Sequence, residues 1–167
     1  MPSSLLTDAF AHHAWATLRL LDVCESLTAE QLDTTVPGTY GSIMATLRHM
    51  VGADSWYLYR VSGERFEPIS DEDEAVLDLA GMRALMETNG PRWQQLVAGP
   101  LDPDEMISVT REDGTYGAPI GIRLAQVLHH GTDHRSQICT ALTSLGVEPP
   151  AIDLWDYGDA VGRTQES

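Results

Sequence analysis

Four stretches of the sequence repeat apolar residues every three or four positions, and such a chain can bury those stripes only by packing helices together. The first covers residues 4–26, with Leu6, Phe10, Ala14, Leu18 and Leu21 in line and Trp15 and Leu20 widening the stripe. The second is capped by Ser42 and runs to about Val61 through Ile43, Leu47, Met50, Tyr57 and Leu58. The third carries Leu79, Met82, Met86, Trp93 and Leu96. Its spacing stays in phase across Gly90-Pro91, which predicts one kinked helix rather than two. The fourth spans Ile120 to about Leu145 and stops at Gly146, ahead of Pro149-Pro150.

The connections carry their own signals. Thr28-Ala29-Glu30-Gln31 has capping-box spacing, and breakers follow from Val36 to Gly41. The run Asp71-Glu72-Asp73-Glu74 suits the positive end of the third helix and reads as a solvated face rather than a metal cluster. Residues 105–119 read as a β-hairpin, with Met106 to Thr110 β-prone and Asp113-Gly114 a tight-turn signal. The tail is anchored, on this reading, by Ile152, Leu154, Trp155 and Tyr157. No repeat or second domain interrupts residues 1–167. The expectation is one all-α domain, an up-down four-helix bundle with a small β-hairpin between its third and fourth helices.

Charge narrows the partners. With 25 acidic and 10 basic residues the formal net charge is −15, which repels phosphate backbones and anionic membrane surfaces alike. We therefore expect no nucleic-acid and no membrane partner. All the basic residues are arginine, so no lysine serves as a Schiff base or phosphate anchor. No apolar run is long enough to span a bilayer, and the N-terminal segment has neither the basic leader nor the apolar stretch of a secretory signal. The expected location is cytoplasmic. Cys24 and Cys139 lie in apolar helical contexts and read as two reduced thiols.

Three of the six histidines fall in His129-His130-Gly131-Thr132-Asp133-His134. His130 and His134 are four apart on one helix, so both project from one face about a turn apart. That spacing allows two imidazoles to hold one metal, but the glutamate of an HExxH peptidase helix is missing. Helical phase with Val127 and Ile138 turns the pair toward the bundle interior, where unpartnered polar groups cost roughly 1–3 kcal/mol each. On the second helix His49 shares its face with Ala45, Gly52, Ala53 and Trp56. The small residues leave space beside the ring, and His49 becomes a candidate third ligand facing the pair. Three neutral imidazoles with an open position describe a catalytic metal site rather than a closed structural one. His12, His13 and His129 are rotated off these faces and read as non-ligands.

These residues also carry a family resemblance. His130 through Ile138, with its Arg135-Ser136-Gln137, resembles the HxxxHRGQ signature of the DinB/YfiT-like metalloenzyme superfamily. Tyr40-Gly41-Ser42-Ile43 through Leu47-Arg48-His49-Met50, then Asp54-Ser55-Trp56, resembles that family's second helix. Ala14-Trp15-Ala16 and the stretch from Pro149 to Trp155 are similar as well. The resemblance implies a bundle with one divalent metal ion, zinc or nickel, on His49, His130 and His134, and often a homodimer. Two positions depart from the pattern. Ser136 replaces the usual glycine, and Asp54 replaces a common glutamate. Asp54 lies about 140° round the helix from His49, the place of a structural partner rather than a ligand. Gln137 shares the face of His134 and suits a hydrogen bond to a ligand ring. Asp133 is the nearest carboxylate on that helix, and Arg135 suits an ordinary salt bridge.

The expected chemistry follows from an open metal position, which can ionise a bound water or accept a thiolate. By resemblance the leading expectation is a transferase or isomerase using a low-molecular-weight thiol, such as mycothiol or bacillithiol, on a small-molecule substrate. Metal-assisted hydrolysis is the alternative, weakened because no carboxylate lies within one turn of His49 on its own face. A non-catalytic metal-binding bundle of the stress response is the third.

Overall fold

The computed structural model describes residues 6–165. Four long helices make the bundle: α1 (Thr7–Cys24), α3 (Ile43–Val61), α5 (Leu79–Val97) and α6 (Ile120–Ser144). Three short helices, α2 (Ala29–Leu32), α4 (Asp71–Val76) and α7 (Leu154–Ala160), and the hairpin β1 (Met106–Arg111) and β2 (Gly114–Pro119) lie in the connections and tail. The start expected for the first helix, at residue 4, falls outside the described residues. Ser42 caps α3 as its sequence predicts, accepting from the Ala45 amide, and the Thr28 capping box opens α2.

Each of α1 and α3 packs against both α5 and α6. Two apolar clusters show which way the helices run. One joins Phe10 at the start of α1 to Val61, to Trp93 and Val97, and to Ile120 and Leu124 at the start of α6. The other joins Leu21 and Cys24 to Ile43 and Leu47, to Met82 and Met86, and to Ile138 and Leu142. Hence α1 and α6 run one way and α3 and α5 the other. The four-helix bundle is as expected, with its second and third long helices parallel where simple alternation would make them antiparallel. A parallel pair requires the chain to return the length of the bundle, about 28 Å for a 19-residue helix.

Residues 62–78 make that return, running back along α3. The Ile69 amide donates to Ser55 Oγ at 3.2 Å, and Arg48 Nε donates to the Leu77 carbonyl at 2.8 Å. The acidic run is placed differently from expectation. It forms α4 within this strap, capped by Ser70, instead of opening the third long helix. Asp78 is the reason: its side chain accepts from the Gly81 amide and starts a new helix after an extended Leu77. Beyond that point α5 is one continuous helix through Pro91.

The hairpin pairs Arg111 with Gly114, so its tip is Glu112-Asp113, one residue earlier than the turn signal suggested. The tail also needs correction. Leu154 and Trp155 are exposed, while His12 Nε2 donates to the Ile152 carbonyl at 2.8 Å and Tyr157 packs edge-on to Trp15. Cys24 and Cys139 are free thiols, and burial pushes Cys24 up to about 12. Among the described residues no helix is long and apolar enough to cross a membrane.

Candidate metal centre

The antiparallel pair α3 and α6 brings His49 against His130 and His134. His130 Nε2 lies 3.1 Å from His49 Nε2 and 3.1 Å from His134 Nε2. All three donor atoms fall within 4.8 Å of one another, and among the described residues no other such group occurs. Tyr40 stacks on His49, ring centroids 4.2 Å apart at 11°, and meets His134 edge-on. His134 is buried and the other two rings are half-buried.

Proton counting shows what this arrangement lacks. Gln137 Oε1 accepts from the Tyr40 amide at 2.9 Å and lies 3.2 Å from His134 Nδ1. An oxygen at that distance puts the His134 hydrogen on Nδ1 and leaves Nε2 as a lone pair. His130 Nε2 then has two close nitrogen neighbours and at most one hydrogen. Either that hydrogen is shared or two lone pairs face each other. A cation among the three nitrogens removes the conflict. Zinc–nitrogen bonds of 2.0–2.1 Å in tetrahedral geometry place ligand nitrogens about 3.3–3.4 Å apart. The two distances of 3.1 Å lie close to that separation, and the third pair of donor atoms lies within 4.8 Å. Burial, then the charges of His134 and His49, lowers His130 to about 4, and burial lowers His49, so both rings offer lone pairs at neutral pH.

A cavity of about 350 Å³ opens onto His49 and His130, walled by Trp56, Tyr57 and Glu74. Glu74, read in the sequence as part of a solvated acidic face, instead lines this cavity, because it arrives from α4 and not from either histidine helix. Its carboxylate occupies the position that a Cβ on Gly52 would take. The open space expected beside His49 is thus partly filled by an acid. Burial, then Asp71, raises Glu74 above the ordinary carboxylate range. The small residue at position 52 was the available signal; what would pack there was not legible.

The other candidates separate cleanly. Asp133 is exposed, and no hydrogen bond joins it to the three rings. His129 is exposed and His12 binds the tail. His13, Asp54 and Arg135 form a distinct buried network. Asp54 accepts from His13 Nε2 at 3.0 Å, Asn89 Nδ2 at 3.0 Å and Trp93 Nε1 at 2.8 Å. Arg135 Nη1 donates to His13 Nδ1 at 3.2 Å, which fixes the His13 hydrogen on Nε2. In place of the ordinary salt bridge expected of it, Arg135 takes this interior role, with further bonds to Thr17 and Thr132. Gly131 permits it, since a Cβ there would collide with the His13 ring.

The DinB family model matches residues 1–166. The chain belongs to the DinB family. Among solved structures, YfiT from Bacillus subtilis matches with a TM-score of 0.62 at 17% identity, over 89% of this chain and 92% of that one. YfiT is described as a probable metal-dependent hydrolase with an unusual four-helix bundle topology. At that identity the likeness concerns the fold, and the DinB bundle is what both share. No curated protein matches.

Proposed function

We propose that this DinB-family chain holds one divalent metal ion, zinc or nickel, on His49, His130 and His134, and acts as a metal-dependent enzyme on a small molecule. The convergence of three Nε2 atoms with more lone pairs than hydrogens carries the reading. Such an ion lowers the pKa of a coordinated water or thiol and polarises an electrophile. The protein's own contribution is to orient and to enclose. Gln137 fixes the His134 ring through Nδ1 while its other contact, the Tyr40 amide, ties the loop before α3 to α6. Tyr40 covers one face of His49, and Trp56 and Tyr57 wall the cavity where the substrate binds.

Two reactions fit that site. Group transfer or isomerisation with a low-molecular-weight thiol, such as mycothiol or bacillithiol, rests on the family resemblance. Hydrolysis draws support from Glu74, which places a carboxylate in the cavity that helix α3 by itself does not supply. We favour hydrolysis on that observation, and the description of YfiT accords with it. A homodimer remains part of the proposal from the resemblance.

Elemental analysis of protein purified without a histidine tag is the first test, wild type beside His130→Ala. About one equivalent of metal in the wild type, lost in the variant, is the expected result. No metal after incubation with zinc and nickel defeats the proposal. Turnover of a panel of esters and amides without any thiol then selects hydrolysis, whereas turnover only with an added thiol selects transfer.

A further inference from the structure

Glu74 is held at the site by the chain path rather than by an ion pair. The strap of residues 62–78 is pinned to α3 at Ser55 and Arg48, and Glu74 lies between those points against Gly52. Gly52 is three residues beyond His49, so the carboxylate sits about one turn along the same face. It shares the 350 Å³ cavity with His49 and His130. Yet it is outside the group of donor atoms lying within 4.8 Å of one another, which contains the three rings alone. Among the described residues no salt bridge engages it. Its charged and titratable neighbours around the cavities are Asp71 on its own helix, Tyr40 in the loop before α3, Arg48, His49 and Tyr57 on α3, and His130 on α6. Arg48 Nε is engaged by the Leu77 carbonyl, Asp71 is exposed, and Asp54 already accepts three hydrogen bonds elsewhere.

We propose that Glu74 is the proton acceptor for the nucleophile at the three-histidine site, a role that rests on the metal reading above. A protic nucleophile entering the cavity, water or a thiol, gives its acidic hydrogen to a Glu74 oxygen. The electron pair of the broken O–H or S–H bond stays on the nucleophile, and the carboxylate becomes a carboxylic acid. No electron changes hands, and the proton leaves with the departing group or to solvent. Burial, then Asp71, raises the affinity of Glu74 for protons, the direction that favours an acceptor.

Cobalt-loaded full-length protein tests this without a known substrate. Wild type and Glu74→Gln are loaded with cobalt(II), and the growth of the sulfur-to-cobalt absorption is followed on mixing with 2-mercaptoethanol. Thiocyanate, which binds without losing a proton, is the control. The proposal expects equal cobalt content, a thiol rate lower on the order of 10²-fold in the variant, and a thiocyanate rate unchanged or faster. Gly52→Ala, which displaces the carboxylate without removing it, should give the same thiol-selective slowing. Equal thiol rates in Glu74→Gln and wild type overturn it. So does equal slowing of both probes, which marks structural damage, or loss of cobalt, which marks a ligand. Failure of the wild type to bind cobalt defeats the metal reading itself and is visible from metal content before any probe is added.

Discussion

Two clusters with inward-facing histidine share helices α3 and α6 and have opposite character. Around Asp54, every polar atom of the His13 ring has a partner: Nε2 donates to the carboxylate and Nδ1 accepts from Arg135. Around His130, three ring nitrogens converge with too few hydrogens to go round. The first cluster is closed to solvent and complete, while the second borders a cavity and is short of hydrogens. Completeness marks a structural network, and the deficit beside a cavity is the observation on which the proposed metal site rests. Burial of a histidine does not separate them by itself.

The largest effect that sharpens this contrast is on the closed side. Asp54→Ala strands donors from His13, Asn89 and Trp93 and leaves the buried Arg135 without its nearby carboxylate. The expected loss is about 3–5 kcal/mol, seen as a fall in Tm of roughly 10 °C or more with or without metal. A loss of metal with unchanged stability would instead merge the two clusters into one site.

The open cluster should declare itself through pH. In the folded, metal-free protein His130 titrates at about 4, below its usual 6.5. Between those values the unfolded chain binds more protons, so stability rises with pH. Metal-free protein is therefore expected to hold this stability above pH 6.5 and lose it as pH falls toward 4, by urea unfolding. His130→Ala should flatten the slope, and an unchanged slope would show that the ring does not carry it.

A smaller effect is expected at Gln137→Ala, which frees His134 Nδ1 and the Tyr40 amide. Metal affinity should fall about 10- to 100-fold, read by competition with a chromophoric chelator. The smallest is Asp133→Ala. An exposed side chain with no bond to the rings should change stability by no more than about 0.5 kcal/mol and leave metal content alone. A marked loss of metal there would extend the open cluster beyond the cavity.

Much of this was legible in the chain. The periodic stripes placed four helices, and the Ser42 and Thr28 caps fixed where two of the elements begin. The i, i+4 spacing put His130 and His134 on one face, and Gln137 three residues on came to lie against His134 as its phase required. These readings hold because neighbours on one helix are set by 3.6-residue geometry alone. The acidic run was misplaced for a related reason. Asp71 to Glu74 suit any helix start, and only the competing cap at Asp78 divides them from α5.

By itself, then, the sequence determined the helices, the three histidines and the face each one turns inward. Tertiary structure decided what meets those faces. Parallel α3 and α5 force a return strap along α3, and that strap carries Glu74 past Gly52 to the cavity. The parting of His13 from the other inward histidines likewise depends on Asp54, Asn89, Trp93 and Arg135 arriving from three different helices. Periodicity specifies a direction within one helix, whereas contacts between helices depend on their order and sense around the bundle, which no local pattern encodes.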